Sequence, residues 1–326
     1  MNKAIRVHEA GGPDVLRLED VEIAAPGAGE VLLKHTAIGV NLVDTYHRSV
    51  TSGQYAIPRP AILGVEAAGI VEEVGPDVTA LKVGDRIAYW NVLGAYAERR
   101  ILPAWRALKI PDGIDDKTAA AALLKGATAF YLIHRIYPVK AGDTILVHAA
   151  AGGVGRILCQ WAAHLGAKVI GTVGSAAKAE IARASGCAHV VVTGEQDFVA
   201  EARAFTHGAG VDAVFDSIGR DTFDRSLDTL RPLGMMVNFG QASGPVPPLD
   251  ISVLAQKGSL FLAKPTLATF VKDRESILAL AQGVFGALLS GAIKVEIGLS
   301  APLAEAAHVH RELEARRTTG SIVLVP

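Results

Sequence analysis

The chain has 326 residues, of which 50% are hydrophobic, so it can form packed cores and is not a disordered chain. Its 32 Lys and Arg nearly balance 33 Asp and Glu, and the net charge of -1 argues against nucleic acid or an anionic membrane surface as the main partner. The N-terminal stretch lacks the apolar core of a signal peptide, and no apolar run is long enough to span a bilayer, so a soluble, cytoplasmic protein is expected.

The first part of the chain has the pattern of a β-rich unit. Up to about residue 110, Gly, Pro and Asp separate short β-like runs, namely AIRV, VLLKHTAIGV, AGIVEEVG and DRIAYW. This spacing predicts a compact, barrel-like all-β unit. A long Ala/Leu-rich helix is predicted next, with Asp115 or Asp116 as its cap and Gly126 as a weak point inside it.

Strand-like and helix-like segments then alternate, which predicts a doubly wound parallel sheet. In order they are TILVHAA, GVGRILCQWAAHLGA, KVIGTV, SAAKAEIARASG, HVVV, a helix to about Thr206, and VDAVFDSIG. A late helix is predicted in DRESILALAQGVFGALLSGAI, and the chain closes on the apolar strand SIVLVP. The expected fold class is therefore α/β.

The glycine stretch HAAAGGVGR at 148–156 lies between the first predicted strand of this sheet and the following helix. Ala150, Gly152 and Gly155 occupy the three positions of the dinucleotide-binding fingerprint, with Ala replacing the first glycine. The alternative is a tight turn of the kind found in any α/β protein. Because a second strand, KVIGTV, follows at the expected distance, the stretch predicts a pyrophosphate-binding turn.

The residues after KVIGTV indicate which dinucleotide binds. NAD enzymes place an acidic residue here to accept from the ribose hydroxyls, whereas this chain has Gly174 and Ser175. These small residues leave space for a 2′-phosphate, and Lys178 can supply positive charge, so NADPH is the predicted cofactor. The alternative for Lys178 is an exposed lysine on a helix surface.

The motif GVEAAGIVEEVGPDVTALKVGDRI at 64–87, together with AAAGGVG, resembles the medium-chain dehydrogenase/reductase superfamily. In the zinc-dependent branch a histidine ligand stands where this chain has Val65, and a cysteine ligand stands where it has Asn41. The chain's two cysteines, Cys159 and Cys187, are too few for a four-cysteine zinc site and are expected to be buried packing residues. No bound zinc is therefore expected.

The chain most resembles the zinc-independent quinone oxidoreductases, the zeta-crystallin-like branch of that superfamily. The resemblance covers essentially the whole chain and rests on ordered motifs that include GGPDVL, AIGVNLVDTYHRS, LKGATAFYL, HAAAGGVG, DSIGRDTFDRSLDTL, QKGSL and RRTTGSIVLVP. It implies a GroES-like catalytic domain from residues 1–124 and 266–326, a Rossmann NADPH-binding domain at 125–265, and a cleft joining them. It also implies metal-free hydride transfer from NADPH to a quinone, and a homodimer formed through the apolar edge strand in QKGSLFLAKPTL.

The resemblance assigns roles residue by residue, as follows: Asn41 and Thr128 at the nicotinamide; Tyr46 and Tyr55 as aromatic residues near the acceptor; Gly152, Gly153 and Val154 at the pyrophosphate; Gly174, Ser175 and Lys178 at the adenosine phosphate; Phe239, Gly240 and Ser243 on a loop beside the nicotinamide; and Arg316 holding the cofactor. Asn41, Tyr46, Tyr55 and Thr128 are the candidate catalytic residues. Thr193 stands where relatives have a tyrosine near the phosphate, which weakens that pocket without adding an acid.

Each assignment has a local alternative. Asn41 can cap a turn, Tyr46 and Tyr55 can be packing aromatics, and Thr128 can bond back to its own helix. Two other functions also stay open: an NADPH-dependent reductase of enone or alkenal double bonds, and an NADPH-binding structural or RNA-binding protein of the crystallin type.

Overall fold

A computed structural model describes residues 2–326 and divides them into two compact units. The first contains the described residues up to Leu124 together with Asp273–Leu289 and Val295–Pro326, and the second contains Lys125–Lys272 and Ser290–Lys294. The chain returns to the first unit at Asp273 rather than at the predicted residue 266. Phe270 belongs to the second unit, and its ring stacks on Tyr131 of the same unit with centroids 4.5 Å apart.

The strands, in chain order, are β1 (Asn2–Val7), β2 (Arg17–Val21), β3 (Glu30–Val40), β4 (Ala61–Ile62), β5 (Glu66–Val74), β6 (Arg86–Trp90), β7 (Arg99–Pro103), β8 (Leu108–Lys109), β9 (Thr144–Val147), β10 (Lys168–Val173), β11 (Cys187–Val192), β12 (Val211–Asp216), β13 (Leu230–Asn238), β14 (Phe261–Ala263), β15 (Ile297–Pro302) and β16 (Ser321–Val325). The α-helices are α1 (Leu42–Ser49), α2 (Asp116–Tyr131), α3 (Gly153–His164), α4 (Ala176–Ala184), α5 (Phe198–Phe205), α6 (Phe223–Leu227), α7 (Ser252–Gln256), α8 (Arg274–Leu289) and α9 (Ala306–Glu314).

The first unit is the β-rich one, as the sequence predicts. One sheet has the order β2-β1-β4, and the other has the order β15-β16-β3-β5-β6-β8 with β7 also paired to β3. Every strand pair except the parallel β15–β16 pair is antiparallel. Apolar residues of both sheets pack into one core, for example Leu33 and Ile38 of β3 and Ile87 of β6. Asp115 is the cap of α2, because its carboxylate accepts from the Thr118 backbone at 2.9 Å.

The second unit is a doubly wound parallel sheet with the strand order β11-β10-β9-β12-β13-β14. Starting from β9, the chain adds β10 and β11 on one side and then crosses to β12 and its neighbours on the other. This places the switch in winding direction between β9 and β12, and ligands of such sheets bind beyond the carboxyl ends of the strands there. The predicted Rossmann architecture is confirmed.

The strands of this sheet are near-continuous apolar runs because helices cover both faces. Leu146, Ile170, Val191 and Val214 are buried on four adjacent strands and form one core with the helices. Within residues 2–326, no helix combines the length and apolar character needed to cross a membrane.

Candidate active site

The glycine stretch forms a tight turn between β9 and α3. Ala149 adopts a left-handed conformation with φ 51°, and the Gly152 backbone N–H donates to its carbonyl oxygen at 2.8 Å. A Cβ on Gly155 would lie 2.2 Å from that oxygen, so only glycine permits the helix to start so close to the strand. The first N–H groups of α3, which a helix leaves without internal partners, are therefore placed beyond the end of β9.

The structure also explains why alanine replaces the first glycine of the fingerprint. Ala150 is fully buried, and its backbone N–H donates to Thr172 of β10 at 3.0 Å. A side chain on the neighbouring Gly171 would have its Cβ 2.8 Å from the Ala150 Cβ. Because β10 has glycine at that point, the extra methyl group of Ala150 fits without displacing the turn.

The predicted adenosine-phosphate residues lie together at the end of β10. The Thr193 backbone N–H donates to the Val173 carbonyl at 2.9 Å, which brings the end of β11 beside the Gly174–Ser175 turn. Thr193 is an exposed residue, and its hydroxyl donates to the same carbonyl at 3.3 Å. Ser175 is the N-cap of α4, and its carbonyl accepts from the Lys178 backbone at 3.0 Å.

Gly174 is not required by packing. A Cβ built on it has no atom of residues 2–326 within 4 Å, in contrast to the crowded Gly155. The turn after β10 therefore has open space on the side where an acidic residue would stand in an NAD enzyme. The start of α4 adds the partial positive charge of a helix N-terminus to this space.

The loop 239–243 is held at the carboxyl ends of β12 and β13. The Phe239 backbone N–H donates to the Asp216 carbonyl at 2.9 Å, and the Ser243 hydroxyl donates to the Ile218 carbonyl at 2.9 Å. A Cβ on Gly240 would lie 2.6 Å from the Ser217 carbonyl oxygen, so the two loops touch through their backbones. The predicted nicotinamide loop is thus fixed next to the switch point of the sheet.

In the first unit, Asn41 caps α1 and is buried. Its backbone N–H and side chain exchange hydrogen bonds with Asp44 in a capping box, and the Asn41 N to Asp44 Oδ2 distance is 2.8 Å. The Asn41 Nδ2 also donates to the fully buried Glu66 at 2.9 Å. Asn41 therefore does cap α1, and its hydrogen bonds to Asp44 and Glu66 fix the orientation of its side-chain amide.

Tyr46 of α1 and Tyr55 pack against each other, with ring centroids 5.0 Å apart. Burial, and secondarily the nearby Tyr55 hydroxyl, raises the pKa of Tyr46 to about 12. Burial also raises the pKa of Tyr55. Both phenols are neutral at neutral pH, as tyrosines ordinarily are, and each can donate a hydrogen bond.

The remaining two predicted residues lie apart from these clusters in the sequence. Thr128 is buried within α2, with 8% of its surface exposed. Arg316 follows α9 and has the left-handed backbone value φ 58°, which is uncommon for a residue other than glycine. Its side chain is exposed. The assigned roles of all these residues stay predictions.

Three residues with clear positions in these clusters were not found from the sequence. Glu66 holds Asn41, His47 lies against Tyr55 with centroids 6.1 Å apart, and Lys264 donates to the Asn238 side chain at 2.6 Å beside the 239–243 loop. Burial lowers the pKa of His47 and of Lys264. For Glu66, the signal was its place directly after Val65 in the motif GVEAAGIV.

The described residues, 2–326, contain no group of three or more His, Cys, Asp or Glu side chains placed to hold a metal ion. Of the two residues that the sequence resemblance aligns with zinc ligands, Val65 is buried and Asn41 is bonded to Glu66. Cys159 and Cys187 are both buried free thiols, and their contact together with burial raises the pKa of Cys159 well above its usual value.

Comparison with known proteins agrees with this architecture. The zinc-binding dehydrogenase family matches residues 153–268, and the alcohol dehydrogenase GroES-like domain family matches residues 27–112. A quinone oxidoreductase from Pseudomonas aeruginosa is 46% identical over 100% of both chains. A 2-haloacrylate reductase from a Burkholderia species is 45% identical over 100% of this chain and 99% of the other. The crystal structure of Escherichia coli quinone oxidoreductase complexed with NADPH has a TM-score of 0.95 at 43% identity, covering 99% of this chain and 100% of that chain.

Proposed function

Because the chain belongs to the quinone oxidoreductase family of the medium-chain dehydrogenase/reductase superfamily, we propose that it is an NADPH-dependent quinone reductase. The observation that carries the cofactor assignment is the pairing of a glycine turn at the start of α3 with an acid-free, open turn after β10. The first suits a pyrophosphate and the second suits a 2′-phosphate.

The residues present fit the cofactor. Gly153 and Val154, in the first turn of α3, would present backbone N–H groups to the pyrophosphate. Ser175 and Lys178 would supply a hydroxyl and a charge to the 2′-phosphate, and the open space at Gly174 would admit it. NADPH, when bound, supplies the hydride, so the protein has to align the nicotinamide with the acceptor and to exclude water.

On the acceptor side we assign Asn41 and Tyr46 as hydrogen-bond donors. Hydride addition leaves negative charge on a quinone oxygen, and the quinone ring delocalises it, so the reaction is less dependent on a Lewis acid than reduction of a simple ketone. Tyr46 can donate a hydrogen bond to that oxygen because its phenol is protonated at neutral pH. A solvent proton completes the hydroquinone.

A second acceptor class is favoured by one specific observation. The Burkholderia relative at 45% identity is a 2-haloacrylate reductase, and a haloacrylate contains a carbon–carbon double bond. Reduction of an enone or alkenal double bond would use the same hydride and the same donors, since charge then develops on the oxygen conjugated to the alkene.

The proposed function is tested by anaerobic NADPH oxidation with a naphthoquinone and, separately, with an alkenal. We expect a higher kcat/KM for the quinone, with one hydroquinone formed for each NADPH consumed. A preference for the alkenal would instead assign the chain to double-bond reduction, and the absence of oxidation with both would contradict the proposal.

We further propose a homodimer in the cytoplasm. The edge strand β14 pairs on one side with β13 and exposes Phe261 and Leu262 by 54% and 40% of their surfaces. An exposed apolar edge favours pairing with a two-fold mate. Light scattering is expected to give twice the mass of the chain, and Leu262→Lys is expected to give a monomer. Val83→Lys, at an exposed site in the first unit, is the matched control and should remain dimeric.

A further inference from the structure

Four buried side chains of the first unit form an unbroken line of hydrogen bonds. Arg48 Nη1 lies 2.9 Å from His310 Nδ1, His310 Nε2 lies 3.0 Å from the Tyr96 hydroxyl, and that hydroxyl lies 3.0 Å from Asp44 Oδ2. Each of the four side chains is at most 2% exposed. The line therefore lies in the interior and joins α1 at both ends, since Arg48 and Asp44 belong to that helix.

The direction of every bond in the line follows from the chemistry of its ends. A guanidinium can only donate, so His310 Nδ1 accepts from Arg48, and the proton of the neutral imidazole lies on Nε2. A carboxylate can only accept, so the Tyr96 hydroxyl donates to Asp44 and accepts from His310. Burial, and then the charge of Arg48, holds the pKa of His310 at about 3, which keeps this ring neutral.

The line connects the start of α1 to the C-terminal helix. At one end Asp44 Oδ2 also accepts from the Asn41 backbone N–H at 2.8 Å. At the other end Arg48 donates to Glu314, the last residue of α9, and to the Gly11 carbonyl at 2.9 Å. Arg316, two residues further along the chain, is the predicted cofactor-holding arginine.

We propose that Tyr96 and His310 are positioning residues that set the placement of α1, and with it Asn41 and Tyr46, for hydride transfer. The expected effect on catalysis rests on the proposed function, whereas the expected effect on the stability of α1 does not. Aligned donors contribute to rate only when they are held within a fraction of an ångström, so a more mobile α1 lowers kcat more than it changes KM.

A second pair in the same unit provides a matched control. The Tyr89 hydroxyl lies 2.9 Å from His35 Nε2, and both residues are buried. His35 Nδ1 lies 2.6 Å from the Ala97 carbonyl, which can only accept, so His35 carries its proton on Nδ1. The pair thus has the opposite tautomer to His310, and it belongs to strands β3 and β6 rather than to α1.

The test compares Tyr96→Phe with Tyr89→Phe, which remove the same atom from equally buried sites. We expect Tyr96→Phe to lower the hydrogen-exchange protection of residues 42–49 by about tenfold. We expect it to lower kcat for quinone reduction by about tenfold to a hundredfold with little change in KM. Tyr89→Phe should leave both quantities near wild type. His310→Gln, which keeps a donor toward Tyr96, should retain more activity than His310→Leu.

Nitrogen-15 NMR of the wild-type imidazoles tests the line without any variant, and it should show His310 protonated on Nε2 and His35 on Nδ1. A proton on Nδ1 of His310, or equal loss of α1 protection in Tyr96→Phe and Tyr89→Phe, would overturn the proposal. A wild-type protein without quinone reductase activity would contradict the proposed function instead, and the exchange and NMR results would still decide the inference.

Discussion

The buried amide of Asn41 donates to the Glu66 carboxylate across 2.9 Å, at a position that the sequence resemblance aligns with a cysteine ligand of the zinc-dependent branch. Glu66 also accepts from the Leu124 backbone N–H at 2.6 Å. A buried carboxylate is stable only when donors surround it, so Asn41 has a structural partner as well as its proposed place at the nicotinamide.

This pair predicts the effect of two substitutions at residue 41. Asn41→Asp keeps an acceptor for capping α1 but replaces a donor with a second carboxylate beside Glu66, whereas Asn41→Ser caps without adding charge. We expect Asn41→Asp to be less stable than Asn41→Ser by about 3 kcal/mol at neutral pH.

Urea denaturation of both variants across a pH series measures this difference. The difference in unfolding free energy between the two variants should become smaller as the pH falls. Mutual repulsion in folded Asn41→Asp favours protonation of one of the paired carboxyls, and protonation then relieves the repulsion. Equal stability of the two variants at neutral pH would show that the Asn41–Glu66 bond is not needed.

We expect substitution by alanine to affect stability strongly at Gly155 and hardly at all at Gly174. Gly155→Ala places a Cβ 2.2 Å from the Ala149 carbonyl oxygen, so α3 must shift, and we expect a loss of about 1–3 kcal/mol in the free energy of unfolding. Gly174→Ala meets open space and should change stability by less than about 0.5 kcal/mol. Chemical denaturation of the two variants decides this, and a Gly155→Ala protein as stable as wild type would refute the crowded turn.

Local backbone geometry is the part of the candidate site that the sequence predicts. The tight turn at 148–156 is identifiable because it restricts the residues within a few positions, and the open turn at 174–175 is identifiable by its small residues. The phosphate-binding roles of both turns stay predictions. The alternation of strands and helices likewise predicted the parallel sheet. The return to the first unit at Asp273 has no local pattern to mark it, because it depends on which distant residues each segment packs against.

The parts that could not be predicted are long-range side-chain pairs. Glu66 and Asn41 are 25 residues apart, and Tyr96 and His310 are 214 apart. No local pattern marks such partners, because burial and hydrogen bonding between them arise only after the strands of the first unit pair. Tyr96 and His310 each resemble ordinary buried residues in the sequence.

Buried neutral histidines predict a loss of stability in acid. Burial lowers the folded-state pKa of His148 to about 4, and its ring bonds to the Thr172 and Ser226 hydroxyls at 2.8 Å each. The unfolded chain protonates this histidine near pH 6.5. The stability that the neutral His148 ring contributes is therefore complete above about pH 6.5, and it is lost as the pH falls toward the folded-state pKa of about 4.

His148→Gln removes this titration. We expect the variant to lose less unfolding free energy than wild type between about pH 7 and about pH 5, whatever its stability at neutral pH. His164→Gln, at an exposed site, is the control and should follow wild type. If His148→Gln and wild type lost the same amount, His148 would not be held neutral by burial.

We predict that the purified protein holds no stoichiometric zinc, because Val65 and Asn41 occupy ligand positions of the zinc-dependent branch. Elemental analysis should find far less than one zinc per chain, and a chelator should leave activity unchanged. One zinc per chain, with activity lost on chelation, would contradict the metal-free assignment.

The turn after β10 predicts how cofactor preference responds to substitution. Lys178→Ala should raise the KM for NADPH while leaving that for NADH nearly unchanged, because only NADPH carries the 2′-phosphate. Ser175→Asp should repel that phosphate and shift preference toward NADH. Equal weakening of both cofactors by Lys178→Ala would make the lysine a surface residue without a role in selection.

The most direct test of NADPH-dependent quinone reduction is the ratio of kcat/KM for NADPH and NADH at a fixed, saturating naphthoquinone. A charge-assisted contact to the 2′-phosphate contributes roughly 1.5–3 kcal/mol, which corresponds to about one to two decades of preference. Because Thr193 directs its hydroxyl at the Val173 carbonyl, we expect a value near the lower end of that range. Preference for NADPH by about tenfold or more would support the account, and equal use of both cofactors, or no quinone-dependent oxidation of either, would contradict it.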